Sequence, residues 1–290
     1  MDAPFDDRDG FIWVNGAMQP WREAKIHVLT HGLHYGSAVF EGLRVYDGKI
    51  FKATEHSERL KKSAELIGFT LDYSVDAING AMDDVVKAQG ITNGYVRPVS
   101  WLGSERMKIH AEGCKPNLAI AAWEWPAYFD PDKAAKGLRL CWADWRRPSP
   151  ETAPTASKAA GLYMICTMSK KTAVDKGYDD ALMKDYRGYV AEATGANVFF
   201  VMPDGSLHTP IADCFLNGIT RQTVIVLAKN LGINVVERHI SPEEIGGARE
   251  AFLTGTAAEI TPVGEIAGHT YVPGAVTETV THAYRAETHR

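Results

Sequence analysis

The 290-residue chain is 45% hydrophobic and 23% charged with a net charge of −5, an ordinary globular balance and enough length for two compact domains. A net-negative chain with no dense run of lysine and arginine argues against nucleic acid and anionic membranes as partners, because few phosphates could be neutralised. No apolar run approaches the roughly 20 residues of a membrane helix, and the absence of a P-loop or a Gly-x-Gly-x-x-Gly turn removes most support for a nucleotide-dependent enzyme.

Cys114, Cys141, Cys166 and Cys214 lie far apart without metal-type spacing, and the acidic start Met1 to Asp7 does not read as a signal peptide. A cytoplasmic protein with free thiols is expected.

Phe11 to Val14 followed by Asn15-Gly16 is a hairpin signal, and Ala38 to Tyr46, Asp47-Gly48, Lys49 to Lys52 is a second. Thr54 is placed as the cap of a helix running to Leu66, and Ser74 as the cap of another running to Gly90. Tyr95, Arg97, Val99 and Trp101 alternate along a strand and share one face, and Asn117 to Trp123 reads as an apolar strand. An arginine on the side of two large aromatics is a fixed cation ready for a carboxylate, or else an exposed edge residue. The two prolines and scattered charges of Pro126 to Gly137 mark a link, giving expected units 1–126 and 137–290 joined by 127–136.

The second unit reads as strand (Leu138 to Trp142), a proline loop, a helix from Ala159 to Val174, and strands Asp180 to Lys184, Tyr189 to Glu192 and Asn197 to Met202. After Leu216 to Thr220 come a helix running to Leu231, a strand Asn234 to His239, a capping box at Ser241 to Glu244 and a last clear strand Glu250 to Leu253. The mixture predicts an α+β or mixed α/β class.

Lys158 stands where the proline loop meets the helix, among small neighbours that leave room for a bulky group. At a helix start the dipole disfavours a protonated amine, and Schiff-base chemistry needs such help, since a free lysine is neutral only about once in 2,500 molecules at pH 7. The plain alternative is a surface lysine on the first helical turn. Asn217 to Thr220 precedes a helix with no apolar cap and reads as an anion-binding loop or as an ordinary glycine-containing turn, and Thr254 to Pro262 gathers small residues, hydroxyls and amides as a second candidate anion nest. Glu192 ends a strand, as a plain exposed carboxylate or as one that holds a ring nitrogen protonated.

Together, Thr155 to Tyr163, Glu192 to Phe199, Leu216 to Arg221 and Thr254 to Pro262 resemble the fold-type-IV pyridoxal-phosphate aminotransferases, in particular the branched-chain amino-acid aminotransferases. Val28 to Arg44, Glu55 to Leu60 and Tyr95 to Pro98 also resemble that family, so the likeness runs from about Trp13 to Pro262. It implies a smaller N-terminal sheet-and-helix domain with a substrate pocket and a larger, barrel-like C-terminal domain that binds pyridoxal 5′-phosphate. It implies transamination between leucine, isoleucine or valine and 2-oxoglutarate, with no metal, in a homodimer or larger homo-oligomer. Lys158 would be the Schiff-base lysine and proton shuttle, Glu192 the partner of the pyridinium nitrogen and Tyr163 of the phenolic oxygen. Arg59, Ile219, Thr220 and Thr256 would hold the phosphate. Tyr95, Thr256 and Ala257 would hold the α-carboxylate, Arg97 with Tyr35 and Tyr128 the distal carboxylate of glutamate, and Phe40 and Trp125 the apolar side chain.

The loop Gly103 to Pro116 is more charged than the family pattern, and Ala193 stands where the family often has glycine. D-amino-acid aminotransferases, (R)-amine transaminases and aminodeoxychorismate lyases share the lysine, the glutamate and the phosphate loops; Tyr35, Phe40, Tyr95 and Arg97 favour the L-branched-chain group. A non-catalytic binder of pyridoxal phosphate is the reading from another class, and the presence of Lys158, Glu192, Tyr95 and Arg97 argues against it.

Overall fold

A computed structural model describes residues 4–125, 129 and 136–289. The chain divides into two compact units, Met1–Pro126 with Ser157–Gly161, and Ala127–Ala156 with Leu162–Arg290. The expected link 127–136 falls almost wholly outside the described residues. Ser157–Gly161, which the sequence places in 137–290, groups with the first unit. The reason is local pairing: Val39 bridges antiparallel to Ala159, and the Phe40 amide donates to the Lys158 carbonyl at 3.2 Å.

The first unit is built on an antiparallel sheet of β1 (Phe11–Val14), β2 (Ala17–Pro20), β3 (Ala38–Phe40), β4 (Leu43–Tyr46), β5 (Lys49–Ile50), β6 (Gly94–Leu102) and β7 (Pro116–Glu124). The order is β2-β1-β7-β6-β4-β5, with β3 also on β6. Both hairpin signals hold, because Asn15 (φ 48°) with Gly16 (φ 100°) and Asp47 (φ 50°) with Gly48 (φ 76°) adopt the left-handed pairs that a two-residue turn demands. The second run is broken at Glu41-Gly42, which separates β3 from β4. The helices are α1 (His31–Tyr35), α2 (Ala53–Leu66) and α3 (Val75–Ala88). Ser74 caps α3 by accepting from the Ala77 amide at 3.1 Å. Thr54 does not cap α2; Lys52, at φ 57°, holds that place, and the Thr54 hydroxyl accepts from Asn79 Nδ2. Ile78, Met82 and Val85 of α3 are fully buried with Leu43, Val45, Val96, Leu118 and Ile120 of the sheet, each such side chain contributing about 1.5–3 kcal/mol.

The second unit winds β8 (Leu138–Trp142), β9 (Asp180–Lys184), β10 (Val190–Ala193), β11 (Asn197–Val201), β14 (Glu250–Gly255) and β15 (Glu259–Ile266) into a closed ring. The path β10-β9-β8-β15-β14-β11 returns to β10 through the Glu192–Asn197 pair. Strands β12 (Leu207–Pro210) and β13 (Val235–Arg238) extend from β11, and β16 (His269–Thr270) flanks β15. Closure leaves these ring strands without free edges. Leu138, Leu140, Leu182, Val198, Phe200, Leu253 and Val263 form the core of this unit. Its helices are α4 (Met164–Asp175), α5 (Ile219–Asn230) and α6 (Ala275–Thr288).

Candidate active site

Lys158 does not sit at a helix start. Ala160–Tyr163 is a single 3₁₀ turn and α4 begins only at Met164, so the lysine lies in the extended segment that pairs with Val39, and the helix dipole is not what acts on it. Ser63 fixes the strap instead: its carbonyl accepts from the Ser157 hydroxyl at 2.9 Å, and its hydroxyl accepts from the Lys158 amide at 3.0 Å. The side chain runs over Phe40, with Nζ 4.9 Å from the ring centre. Arg97 lies 4.8 Å from the same ring and donates through Nη2 to the Tyr95 hydroxyl at 3.1 Å. Tyr95 in turn packs edge-on against Trp125, with centroids 4.5 Å apart. One aromatic ring thus has an amine and a guanidinium upon it. Among the described residues Arg97 Nε is a buried donor without a hydrogen-bond partner, an uncompensated group of the kind that a ligand acceptor satisfies. Arg97 also lines a cavity of about 730 Å³ on the same sheet, with Val99, Trp101, Ala119 and Ala121.

Behind the lysine is a buried ionic cluster. Glu41, fully buried, accepts from Arg59 Nε at 2.6 Å and from Arg59 Nη2 at 2.8 Å, and pairs with His56 Nδ1 at 2.6 Å. Burial works to raise the Glu41 pKa, but the charges of Arg59 and His56 hold it well below the usual carboxylate range. Burial pushes His56 below its ordinary value, against the pull of Glu41. Burial first and the Arg59 guanidinium second lower Lys158 to about 8, with Glu41 opposing. An amine of that pKa is neutral in about one molecule in ten at pH 7, so desolvation and cationic neighbours do what the sequence reading gave to the dipole.

In the second unit, Glu192 and Asn197 face each other across β10 and β11. Glu192 forms an ion pair with Arg147 (Nε to Oε1, 3.4 Å) and accepts from Asn197 Nδ2 at 3.1 Å. Arg147 is 4% exposed and reaches the Leu162 carbonyl and the Cys166 sulfur through Nη1; burial opposes its charge and Glu192 raises its pKa. Tyr163 closes the 3₁₀ turn at the start of α4 and is close enough to Arg147 to raise that pKa further. Helix α5 starts at Ile219 behind Gly218, with no side chain capping its first turn, and Ile219 and Thr220 are both buried. Thr256 and Ala257 occupy the turn of the β14–β15 hairpin and are half-buried. Beside it the buried Thr254 hydroxyl has no hydrogen-bond partner among the described residues.

The predicted residues therefore fall into two groups. Lys158, Phe40, Arg59, Tyr95, Arg97 and Trp125 gather in the first unit, and Glu192, Tyr163, Ile219, Thr220, Thr256 and Ala257 belong to the second. Tyr35, 45% exposed, packs on His31 and His34 of its own segment. Tyr128 lies outside the described residues. Sequence reasoning gave no role to Glu41, His56, Arg147 or Asn197. Glu41, His56 and Asn197 lie inside the motifs that carry the resemblance, and Arg147 belongs to an arginine pair just before Pro148. Each group by itself has donors that suit pyridoxal phosphate: the first a depressed-pKa amine for an aldehyde, the second a buried carboxylate for a protonated ring nitrogen and first-turn amides for a phosphate.

Residues 38–266 match the family described as amino-transferase class IV. The probable branched-chain-amino-acid aminotransferase of Rickettsia felis is 47% identical over 256 residues, covering 88% of this chain and 86% of that protein. The crystal structure of the Escherichia coli branched-chain amino acid aminotransferase is 38% identical with a TM-score of 0.93, covering 96% of this chain and 94% of that one. The T.th. branched-chain amino acid aminotransferase complexed with N-(5′-phosphopyridoxyl)-L-glutamate is 35% identical with a TM-score of 0.92, covering 97% and 95%. These likenesses extend over nearly the whole chain and agree with the fold-type-IV expectation, and with them the chain belongs to the class IV aminotransferases, among the branched-chain amino-acid aminotransferases.

Proposed function

We propose that the chain moves the amino group of L-leucine, L-isoleucine or L-valine to 2-oxoglutarate, giving branched 2-oxo acids and L-glutamate, with pyridoxal 5′-phosphate as cofactor. The observation that carries this reading is the Phe40 ring with Lys158 Nζ at 4.9 Å and the Arg97 guanidinium at 4.8 Å. An apolar ring suits a leucine side chain, and the guanidinium beside it suits the distal carboxylate of glutamate, so one pocket serves both half-reactions. The glutamate adduct bound by the T.th. relative supports the same cofactor and acceptor.

When bound, pyridoxal phosphate supplies an electron sink that acidifies the Cα proton of the amino acid. Lys158, as the amine with the lowered pKa, takes that proton and returns it on the other side of the exchange. Glu192, with Arg147 and Asn197 behind it, keeps the ring nitrogen protonated, and Tyr163 donates to the phenolic oxygen. The Ile219 and Thr220 amides, the Thr256 hydroxyl and Arg59 hold the phosphate. Tyr95 with the Thr256 and Ala257 amides holds the α-carboxylate, while Arg97, Tyr35 and Tyr128 receive the distal carboxylate beside Phe40 and Trp125.

Self-association belongs to the proposal. Ile26 (54% exposed), Val28 (66%), Leu33 (63%) and Ile109 (86%) are apolar side chains left open on the first unit, which a second copy of the chain would cover. The free thiols support a reducing, cytoplasmic setting, and among the described residues no helix is long and apolar enough to cross a membrane.

The test supplies pyridoxal phosphate and 2-oxoglutarate and follows glutamate formed from L-leucine, L-isoleucine, L-valine, D-alanine and (R)-1-phenylethylamine in parallel. Turnover confined to the L-branched-chain set supports the reading. Turnover only on D-alanine or the amine refutes the substrate assignment, and full turnover by Lys158→Ala refutes the mechanism. Sedimentation of a monomer under assay conditions refutes the assembly.

A further inference from the structure

The carboxylate and the uncapped helix start assigned above to opposite ends of the cofactor share one small side chain. Asn197 is 4% exposed and is the first residue of β11, lying between Glu192 on β10 and Thr254 on β14. Its Nδ2 donates to Glu192 Oε2 at 3.1 Å and to the Leu216 carbonyl at 3.1 Å. Its Oδ1 accepts from the Gly218 amide at 3.2 Å. Three of the four hydrogen bonds available to a primary amide are thereby used, one toward the carboxylate and two toward the loop that opens α5. Gly218 is shaped to this contact, since a Cβ there would come within 2.3 Å of Asn197 Oδ1. From the other side Arg221, 1% exposed, holds the same loop through Asn217 Oδ1 at 2.9 Å and ties it to the Pro210 carbonyl at 2.9 Å.

We infer that Asn197 is a positioning residue that sets the spacing between the Glu192 carboxylate and the anion-binding start of α5. The inference rests on the cofactor assignment above and deepens it. The ring and phosphate of pyridoxal phosphate are joined by a short methylene ester link, so the groups that meet its two ends must keep a separation within its span, and groups held loosely lose affinity. Leucine of the same volume could fill the space but could neither donate to Glu192 nor accept from Gly218. Aspartate keeps the acceptor for Gly218 but has no donor for Glu192 and brings a like charge against it.

The experiment compares wild type with Asn197→Ala, Asn197→Asp and Gly218→Ala, measuring dissociation constants for pyridoxal phosphate and for pyridoxal, which lacks the phosphate. The pH midpoint of the bound cofactor's visible absorption and the melting temperature of the cofactor-free chain are recorded alongside. Loss of the three side-chain hydrogen bonds in Asn197→Ala weakens pyridoxal phosphate about 10- to 100-fold and narrows the preference for pyridoxal phosphate over pyridoxal. It also moves the absorption midpoint. Asn197→Asp moves the midpoint while largely keeping the phosphate preference, and Gly218→Ala narrows the preference while leaving the midpoint in place. This separation of the two readouts is what a general loss of folding does not produce. A preference and midpoint both unchanged in Asn197→Ala overturn the inference, as does a parallel change of both in Asn197→Asp and Gly218→Ala. If Asn197→Ala does not fold, the other two variants decide. A wild-type chain that binds neither compound refutes the cofactor assignment itself and this inference with it; wild-type binding with unsplit variants refutes this inference alone.

Discussion

Replacing Glu41 by glutamine tests the electrostatic account of Lys158. The carboxylate receives two donors from Arg59 and pairs with His56, at 2.6 to 2.8 Å, and none of it is exposed. Glutamine keeps the volume but offers one acceptor oxygen and turns an amide donor toward a donor already there. Breaking a buried ion pair from one side costs about 3–5 kcal/mol, and at about 2–4 °C per kcal/mol for a protein of this size the melting temperature falls by roughly 6–20 °C. The sign of the pH effect follows from the lowered Glu41 pKa. Its contribution is complete above the unfolded carboxyl value of about 4.3 and is lost as pH falls toward the folded value. The wild-type advantage over Glu41→Gln therefore shrinks on acidification below about pH 4.3. Glu41 also raises Lys158 against burial and Arg59, so its removal takes the amine below about 8. Thermal unfolding between pH 3 and 8 reads the first effect. The second is read by the pH dependence of reductive trapping of an aldehyde on Lys158 in the cofactor-free chain, located by peptide mapping. A melting temperature equal to wild type, or a trapping midpoint displaced to higher pH, would refute the reasoning.

Gly42→Ala places a Cβ 1.7 Å from the Tyr95 hydroxyl, so the phenol must leave Arg97 Nη2; the expected result is a raised KM for every amino acid, and a KM unchanged for leucine and glutamate contradicts it. Of the four free cysteines only Cys114 is not buried, and burial pushes Cys166 up to about 11 and Cys214 up to about 12. Titration with an aromatic disulfide at pH 8 should find a single fast thiol in the native chain and all of them after denaturation; rapid labelling of Cys166 or Cys214 counts against the packing described. Arg221→Met fills the space but leaves Asn217 Oδ1 and the Pro210 carbonyl without this donor. It should weaken pyridoxal phosphate more than pyridoxal, which parallel titrations of the two compounds decide.

The parts of the fold legible in the sequence are those fixed within a few residues. Asn15-Gly16 and Asp47-Gly48 carry their own left-handed turns, Ser74 finds the Ala77 amide three residues on, and Glu244 reaches back to the Ser241 amide. The elements that were missed depend on distant partners. Helix α6 is rich in threonine, which has modest helix propensity, and its first turn is capped by Glu250, whose carboxylate accepts from the Thr277 amide at 2.8 Å. Strand β15 contains Pro262 and read as a loop, yet it is held on both sides, antiparallel to β14 and parallel to β8. Strand β12 is four residues ending in a proline, too short for period-two alternation to show.

The same distinction runs through the site. Lys158, Glu192 and the α5 loop were found because their motifs are contiguous, but what tunes each of them is not. Glu41 meets Arg59 across 18 positions, the Lys158 amide meets Ser63 across 95, and the Asn197 oxygen meets Gly218 across 21. The lysine shows what that omission costs: the contiguous reading lowered its pKa by a helix dipole that the structure does not place there, while the causes that do act, burial and the Arg59 charge, come from a strap pinned to Ser63 on α2. A motif identifies which group reacts. The state in which it reacts is set by residues that reach it only through the sheet pairings and helix packing of its own unit.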